Sequence, residues 1–293
     1  LLLGKTGQLG CELQRALIAL GEIVALDRAA LDLMQPQAIR ATIDEVQPRL
    51  IVNAAAYTAV DRAESERDTA ALINAEAPRT LAEAAQALDI PLLHYSTDYV
   101  FSGDKPTPYV EADPTAPQSW YGATKLEGER AIHASGARGV IFRTSWVFGE
   151  TGGNFVRTIL RLAAEKETLR VVADQVGAPT PARLIADVTA DVIRTFDGEG
   201  WPRATVYHLA AAGAVSWHAF AQTIVAKALE RGMPLALRPE NIEAIPTSDH
   251  PTPAARPKNS RLDCSALARR LGIELPGWEP YLDRMLARYT ARA

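Results

Sequence analysis

The 293-residue chain carries 31 Lys and Arg against 35 Asp and Glu, a formal charge of −4, with 47% hydrophobic and 23% charged residues. These proportions exclude a disordered or fibrous protein and supply no basic surplus for nucleic acid or an anionic membrane. No apolar run nears the roughly 18 residues of a membrane span, and two cysteines, Cys11 and Cys264, are too few for a disulfide scaffold and fit a reducing cytoplasm.

Leu1-Leu2-Leu3 reads as the end of a strand whose first residues precede it, without the longer apolar region of a signal peptide. A helix follows over residues 9–20, then a strand over 22–26, helical spacing over 37–46 and a third strand over 50–53. Residues 69–88 read as one Ala-rich helix interrupted at Pro78, 91–96 as a fourth strand, 121–134 as a helix and 139–144 as a fifth strand. This alternation predicts parallel βαβ units and a Rossmann-type, doubly wound sheet, an α/β fold with its ligand at the carboxyl ends of the strands. Beyond Gly149 the rhythm changes. Helices are expected over 154–165, 184–196, 217–231, 262–271 and 278–289, and strands over 169–173 and 205–209. The stretch 239–260, rich in Pro, Asn, Thr and Ser, reads as irregular. The expected layout is a nucleotide-binding domain over 1–149, to which 184–212 returns, and a smaller, mainly substrate-binding domain over 150–293.

Gly4, Gly7 and Gly10 lie in a turn that follows a strand and opens a helix. Glycines there permit a tight turn and close approach to a pyrophosphate, and the free N–H groups of the helix start bind its charge. Asp27, at the end of the second strand, is placed to hold ribose hydroxyls, while Arg28 beside it would hold a 2′-phosphate. Asp27 argues for NAD(H) and Arg28 for NADP(H); the expectation is NADP(H), with NAD(H) as the alternative. Tyr121 and Lys125 form a Tyr-x-x-x-Lys pair that one helical turn brings to a common face. A nearby ammonium lowers the pKa of a phenol, so Lys125 would tune Tyr121 for proton transfer. Thr97, at the end of the fourth strand, would bring a hydroxyl to the same substrate oxygen.

The glycine turn, Asn53-Ala54-Ala55-Ala56 and the Tyr-Lys pair resemble the extended branch of the short-chain dehydrogenases/reductases. Five longer segments (53–61, 94–101, 142–148, 174–180 and 256–262) extend the resemblance to the dTDP-4-dehydrorhamnose reductase family over nearly the whole chain. The resemblance implies reduction of the 4-keto group of dTDP-4-dehydro-L-rhamnose to dTDP-L-rhamnose, the last step in making that sugar nucleotide. It implies a hydride from the nicotinamide, Tyr121 as proton donor, Lys125 on the ribose, Thr97 and Asp98 positioning the sugar, and Trp146 walling the sugar site. Cofactor contacts would come from Gly4, Gly7, Gln8, Leu9 and Gly10, from Asp27, Arg28, Asp32 and Leu33, and from Ala55, Ala56, Tyr57 and Tyr95, besides Tyr121 and Lys125. Arg256 and Asn259 would meet the nucleotide end of the substrate.

Related 4,6-dehydratases use an Asp-Glu pair after the Thr; here Tyr99 follows Asp98, which argues against elimination. Epimerases keep the same Tyr and Lys and stay open on the residues, as does a binding role like that of the regulatory subunit of methionine adenosyltransferase. Some family members hold magnesium through glutamates at a dimer interface. Glu12 matches one such position, but Arg183 stands where a second Glu would, so no metal is expected and a homodimer is left open. The five histidines, His94 among them, show no metal-ligand spacing and read as surface or packing residues.

Overall fold

The computed structural model describes residues 1–290. A parallel sheet contains β1 (Leu2–Leu3), β2 (Ala25–Leu26), β3 (Ile51–Asn53), β4 (Leu92–Thr97), β5 (Gly139–Thr144) and β6 (Thr205–His208), in the spatial order 6-5-4-3-1-2. Helices α1 (Gln8–Leu17), α2 (Pro36–Val46), α3 (Ala77–Ala87), α4 (Trp120–Ser135) and α5 (Ala182–Glu199) cover it. Successive strand residues point to opposite faces. Leu2, Val52, Leu93 and Phe142 pack with Leu13 of α1 and Ile185 of α5, while Leu3, Ile51, Leu92 and Ile141 pack with Ile43 of α2, Leu81 of α3 and Ile132 of α4. Both faces are therefore dry, as a parallel sheet requires. Because β1 has β2 on one side and β3 on the other, the connections leaving β1 and β3 diverge and open a crevice at their carboxyl ends.

The helix expected over 69–88 is divided. Residues Arg67–Ala71 are α-helical, Leu72–Glu76 form one wide π turn, and α3 begins at Ala77. Pro78 has no N–H to close a regular turn, and its ring would meet the carbonyl of Asn74 four residues back, so the helix widens there. Helix α4 starts at Ser119, whose Oγ accepts the Gly122 N–H at 3.2 Å, and stops at Gly136 with φ 73°.

The second half adds short pairs around this sheet. Leu169–Val172 lies parallel to Ile242–Ile245, Val147–Phe148 to Thr180–Pro181, and Val176–Gly177 runs antiparallel to Val215–Ser216. The strand at Ile242–Ile245 corrects the expectation of an irregular 239–260. Its two ends are buried and its middle exposed, a pattern too short to stand out among prolines. The helix expected from Leu262 begins at Ser265, because the Asp263 carboxylate accepts the Ser265 N–H at 2.8 Å. The strand expected from Glu22 is ordered as such only at Ala25–Leu26. Among the described residues, no helix is long and apolar enough to cross a membrane.

Candidate active site

A cleft of about 750 Å³ lies over the carboxyl ends of the central strands, floored by Gly4 and Gly7 and closed at its other end by Thr97, Tyr121 and Trp146. Gly4 has φ +85°, and a Cβ there would stand 2.9 Å from the Ala55 nitrogen; a Cβ at Gly10 would overlap the Gly4 carbonyl oxygen. Those two glycines let the turn fold against β3. At Gly7 a Cβ would meet only the Gly4 oxygen at 3.3 Å, so its bareness serves the cleft rather than the packing. Gly7 also caps α1 without a side-chain bond, which leaves the first helical N–H groups beside Gln8 and Leu9 on the cleft wall. This cradle fits a pyrophosphate.

Asp27, Arg28, Asp32 and Leu33 line the same end of the cleft as Ala55, Ala56 and Tyr57. The Asp27 carboxylate is already engaged. It accepts the Ala30 N–H at 3.1 Å and lies 3.4 Å from the Lys5 ammonium, and these two contacts hold its pKa below the usual carboxylate range. Arg28 is exposed, with a polar contact to the Met34 sulfur at 3.9 Å. Two cations therefore flank one acid. Tyr57 is fixed through its backbone. Asn74, in the π turn, accepts the Tyr57 N–H at 2.9 Å and donates to its carbonyl at 3.0 Å.

At the other end, β4 delivers Thr97 and α4 delivers Tyr121 and Lys125. Thr97 Oγ1 donates to Asp98 Oδ1 at 3.0 Å, accepts the Tyr99 N–H at 3.1 Å and hydrogen-bonds the Tyr121 phenol. Lys125 Nζ donates to the Tyr95 carbonyl at 2.6 Å and lies 3.2 Å from His94 Nε2. The expected tuning of Tyr121 by Lys125 takes another form here. Burial raises the phenol's pKa, the Thr97 bond opposes that rise, and the ammonium is aimed at β4. Burial also pulls Lys125 down to about 8 against the opposing charge of Glu129. Glu129, one turn further along α4, is held by Arg143 of β5 at 2.6 Å and by the Ser96 hydroxyl.

Among the described residues, two buried polar atoms on the cleft wall, Asp98 Oδ2 and Thr144 Oγ1, have no hydrogen-bond partner. Desolvation pushes Asp98 up to about 6, against the opposing influence of the Ser260 and Thr97 hydroxyls. Trp146 stands at φ 48°, a left-handed conformation rare for a bulky residue. Its ring stacks on Trp217 at 3.5 Å, and a Cβ at Gly177 would come within 2.5 Å of it, so Trp217 and Gly177 fix this wall from behind.

The remaining expected residues are placed differently. Gly10 lies beneath the turn rather than on the cleft. Tyr95 lines the cleft, but its hydroxyl is bonded to Thr189 of α5 at 2.8 Å, and its carbonyl is what reaches Lys125. Arg256 is bound to Asp61 at 2.7 Å and stands over the Tyr99 ring, with Nη1 buried and unpartnered. Asn259 is outside the cleft. Its amide donates to the carbonyls of Lys105 and Thr107 and accepts from Arg261, so it ties loops together and has nothing left for substrate. Glu12 pairs with Arg15 at 2.9 Å, and Arg183 is 4.0 Å from Asp187. Among the described residues no group of three His, Cys, Asp or Glu could hold a metal. Sequence reasoning missed His94, Asn74, Thr144, Trp217 and Gly177. His94, Thr144 and Gly177 carried a signal, since each lies in a segment that resembles the family; Asn74 and Trp217 carried none.

Known proteins agree with this arrangement. A family model described as the RmlD substrate binding domain matches residues 1–291. The dTDP-4-dehydrorhamnose reductase of Shigella flexneri is 47% identical over 98% of this chain and 96% of its own. The crystal structure of dTDP-4-dehydrorhamnose reductase from Bacillus anthracis in complex with NADP superposes with a TM-score of 0.88 at 36% identity, covering 98% of both chains. The corresponding protein of Clostridium acetobutylicum gives 0.89 at 34% identity, over 99% of this chain and 98% of that one. The chain belongs to the dTDP-4-dehydrorhamnose reductase family.

Proposed function

We infer that the chain reduces the 4-keto group of dTDP-4-dehydro-L-rhamnose to dTDP-L-rhamnose with NADPH, the last step in forming that sugar nucleotide. The observation that carries this reading is the convergence of Tyr121, Thr97 and Lys125 at one end of a cleft whose other end is a bare glycine turn. NADPH, when bound, supplies the hydride. Gly4, Gly7 and the N–H groups beside Gln8 and Leu9 cradle its pyrophosphate, while Asp32, Leu33, Ala55, Ala56 and Tyr57 border the adenosine. Lys5 and Arg28 place positive charge where a 2′-phosphate would lie, which favours NADP(H) over NAD(H).

Thr97 and Tyr121 point at the sugar C4 oxygen. As negative charge develops there, Tyr121 donates its proton; burial keeps the phenol protonated until a far stronger base, the alkoxide, appears. Lys125, which lines the cleft beside Tyr121, would bond the nicotinamide ribose of the bound cofactor. Asp98 Oδ2 and Thr144 Oγ1 are open to sugar hydroxyls, Trp146 covers the sugar's apolar face, and Arg256 Nη1 is the donor for the diphosphate. In this reading residues 1–149, with 184–212, form the cofactor-binding part, and the rest mainly holds the sugar nucleotide. Free Cys11 and Cys264 fit a cytoplasmic enzyme.

The test is loss of nicotinamide absorbance when the chain, NADPH and dTDP-4-dehydro-L-rhamnose are combined. Oxidation that depends on the sugar supports the assignment, and none with this sugar refutes it.

A further inference from the structure

Asn53, His94 and Lys125 form a row from β3 through β4 to α4, and each is only 1% exposed. The direction of its hydrogen bonds is set from one end. The Ala55 N–H donates to Asn53 Oδ1 at 3.2 Å, and a backbone N–H can do nothing else. The Asn53 amide is thereby oriented with Nδ2 toward His94 Nδ1, 3.1 Å away, and Nδ2 can only donate. His94 Nδ1 is then an acceptor, and the single proton of the neutral imidazole sits on Nε2. Nε2 faces Lys125 Nζ at 3.2 Å. An amine accepts that N–H; an ammonium meets it donor to donor. The bond from Nζ to the Tyr95 carbonyl is one that either form makes.

The alternatives are worse. Turning the amide sets Nδ2 against the Ala55 N–H, and protonating the imidazole gives it two N–H groups facing two donors. Burial and the Lys125 charge hold His94 well below its usual pKa, so it stays neutral. The other groups that face Lys125 are Glu129 on its own helix and the Tyr95 carbonyl on β4. Glu129, already paired with Arg143 of β5, favours the ammonium, while β3 contributes only the uncharged Asn53.

We propose that His94, oriented by Asn53, is a positioning residue for Lys125: its Nε2–H stabilises the neutral amine and makes Lys125 less basic than its other neighbours would. Within the function inferred above, this sets the pH beyond which Lys125 no longer brings positive charge to the nicotinamide end of the cleft.

The test follows the Nζ resonance of Lys125 in the ¹⁵N-lysine-labelled, ligand-free chain against pH, assigned through Lys125→Met, with a parallel pH profile of kcat/KM. His94→Gln offers an amide oxygen to the ammonium, so the midpoint rises by about one pH unit, tenfold in proton affinity, and the alkaline limb of turnover moves with it. Asn53→Asp accepts from both Ala55 and His94 Nδ1, which moves the ring proton to Nδ1 and frees Nε2 to accept. Its upward shift is larger with His94 present than in the His94→Gln background, where only the added charge acts. A ring that serves packing alone leaves the midpoint fixed and lowers kcat at every pH. A midpoint that does not rise in His94→Gln, or an Asn53→Asp shift equal in both backgrounds, overturns the proposal. The titration needs no substrate, so failure of the sugar-nucleotide assignment leaves its outcome unaffected.

Discussion

Tyr121 draws its chemistry from where it is buried as much as from what stands beside it. The Tyr-x-x-x-Lys spacing shows that the two side chains share a face of α4, but not that Lys125 turns toward the Tyr95 carbonyl and His94. In a reductase a phenol kept protonated by burial is an asset, since its task is to give a proton away. Tyr121→Phe removes that proton and leaves the glycine turn intact. Turnover is expected to fall by roughly 10²–10⁴, the usual worth of a general acid, while NADPH affinity measured by fluorescence titration changes less than about twofold. Full activity in this variant would remove Tyr121 from the mechanism. Asn259 carries the opposite lesson. An Asn near an Arg reads equally well as a substrate contact or a loop tie, and only its four bonds to Lys105, Thr107 and Arg261 decide for the tie.

At the scale of elements, the site depends on how closely α4 approaches the π turn. A Cβ at Gly128 would overlap the Asn74 carbonyl oxygen, the group that Pro78 displaces from regular helix. The same Asn74 fixes Tyr57 on the cleft and donates to Thr124 of α4 at 3.3 Å. Gly128→Ala therefore pushes α4, with Tyr121 and Lys125, away from the π turn. We expect a loss of about 1–3 kcal/mol in denaturant unfolding, typical of overpacking, together with a lower kcat; a stability equal to that of the parent would show that α4 tolerates the shift. Strand and helix alternation, the glycine turn and the order of Thr97, Tyr121 and Lys125 were legible in the sequence because each is a local pattern. Pro78 marked a break in its helix, but the width of the turn depends on the carbonyl it displaces. Trp217 and Asn74 stayed hidden because each acts across distant sequence and belongs to no motif, while Thr144 and Gly177 lie in segments that resemble the family but do not reveal what they touch. The strand Ile242–Ile245 was missed for the same reason, since its partner lies at Leu169–Val172.

Across the whole molecule, the cleft is maintained at the expense of stability. Asp98 is buried with one oxygen unpartnered, and its pKa is about 6 in the fold against 3.8 when free. A raised folded pKa means that the stability Asp98 contributes is fully present below 3.8 and is lost as pH rises through about 6. Asp98→Asn should accordingly stabilise the chain at pH 8, by about 3 kcal/mol at most on the linkage relation, and by less at pH 5. Denaturant titrations at the two pH values check this, and an equal gain at both would contradict it. The strained backbone of Trp146 belongs to the same pattern, in which the groups that meet substrate are the ones held least comfortably. For the reduction to occur, hydride and proton must reach one carbonyl at the Tyr121 end of the cleft. Its most direct test is to incubate the chain with [4,4-²H₂]NADPH, labelled on both faces, and dTDP-4-dehydro-L-rhamnose and to locate the label by NMR. Deuterium is expected at C4 of the sugar with the wild-type chain, in strongly reduced yield with Tyr121→Phe. A sugar left unlabelled at C4 would contradict it.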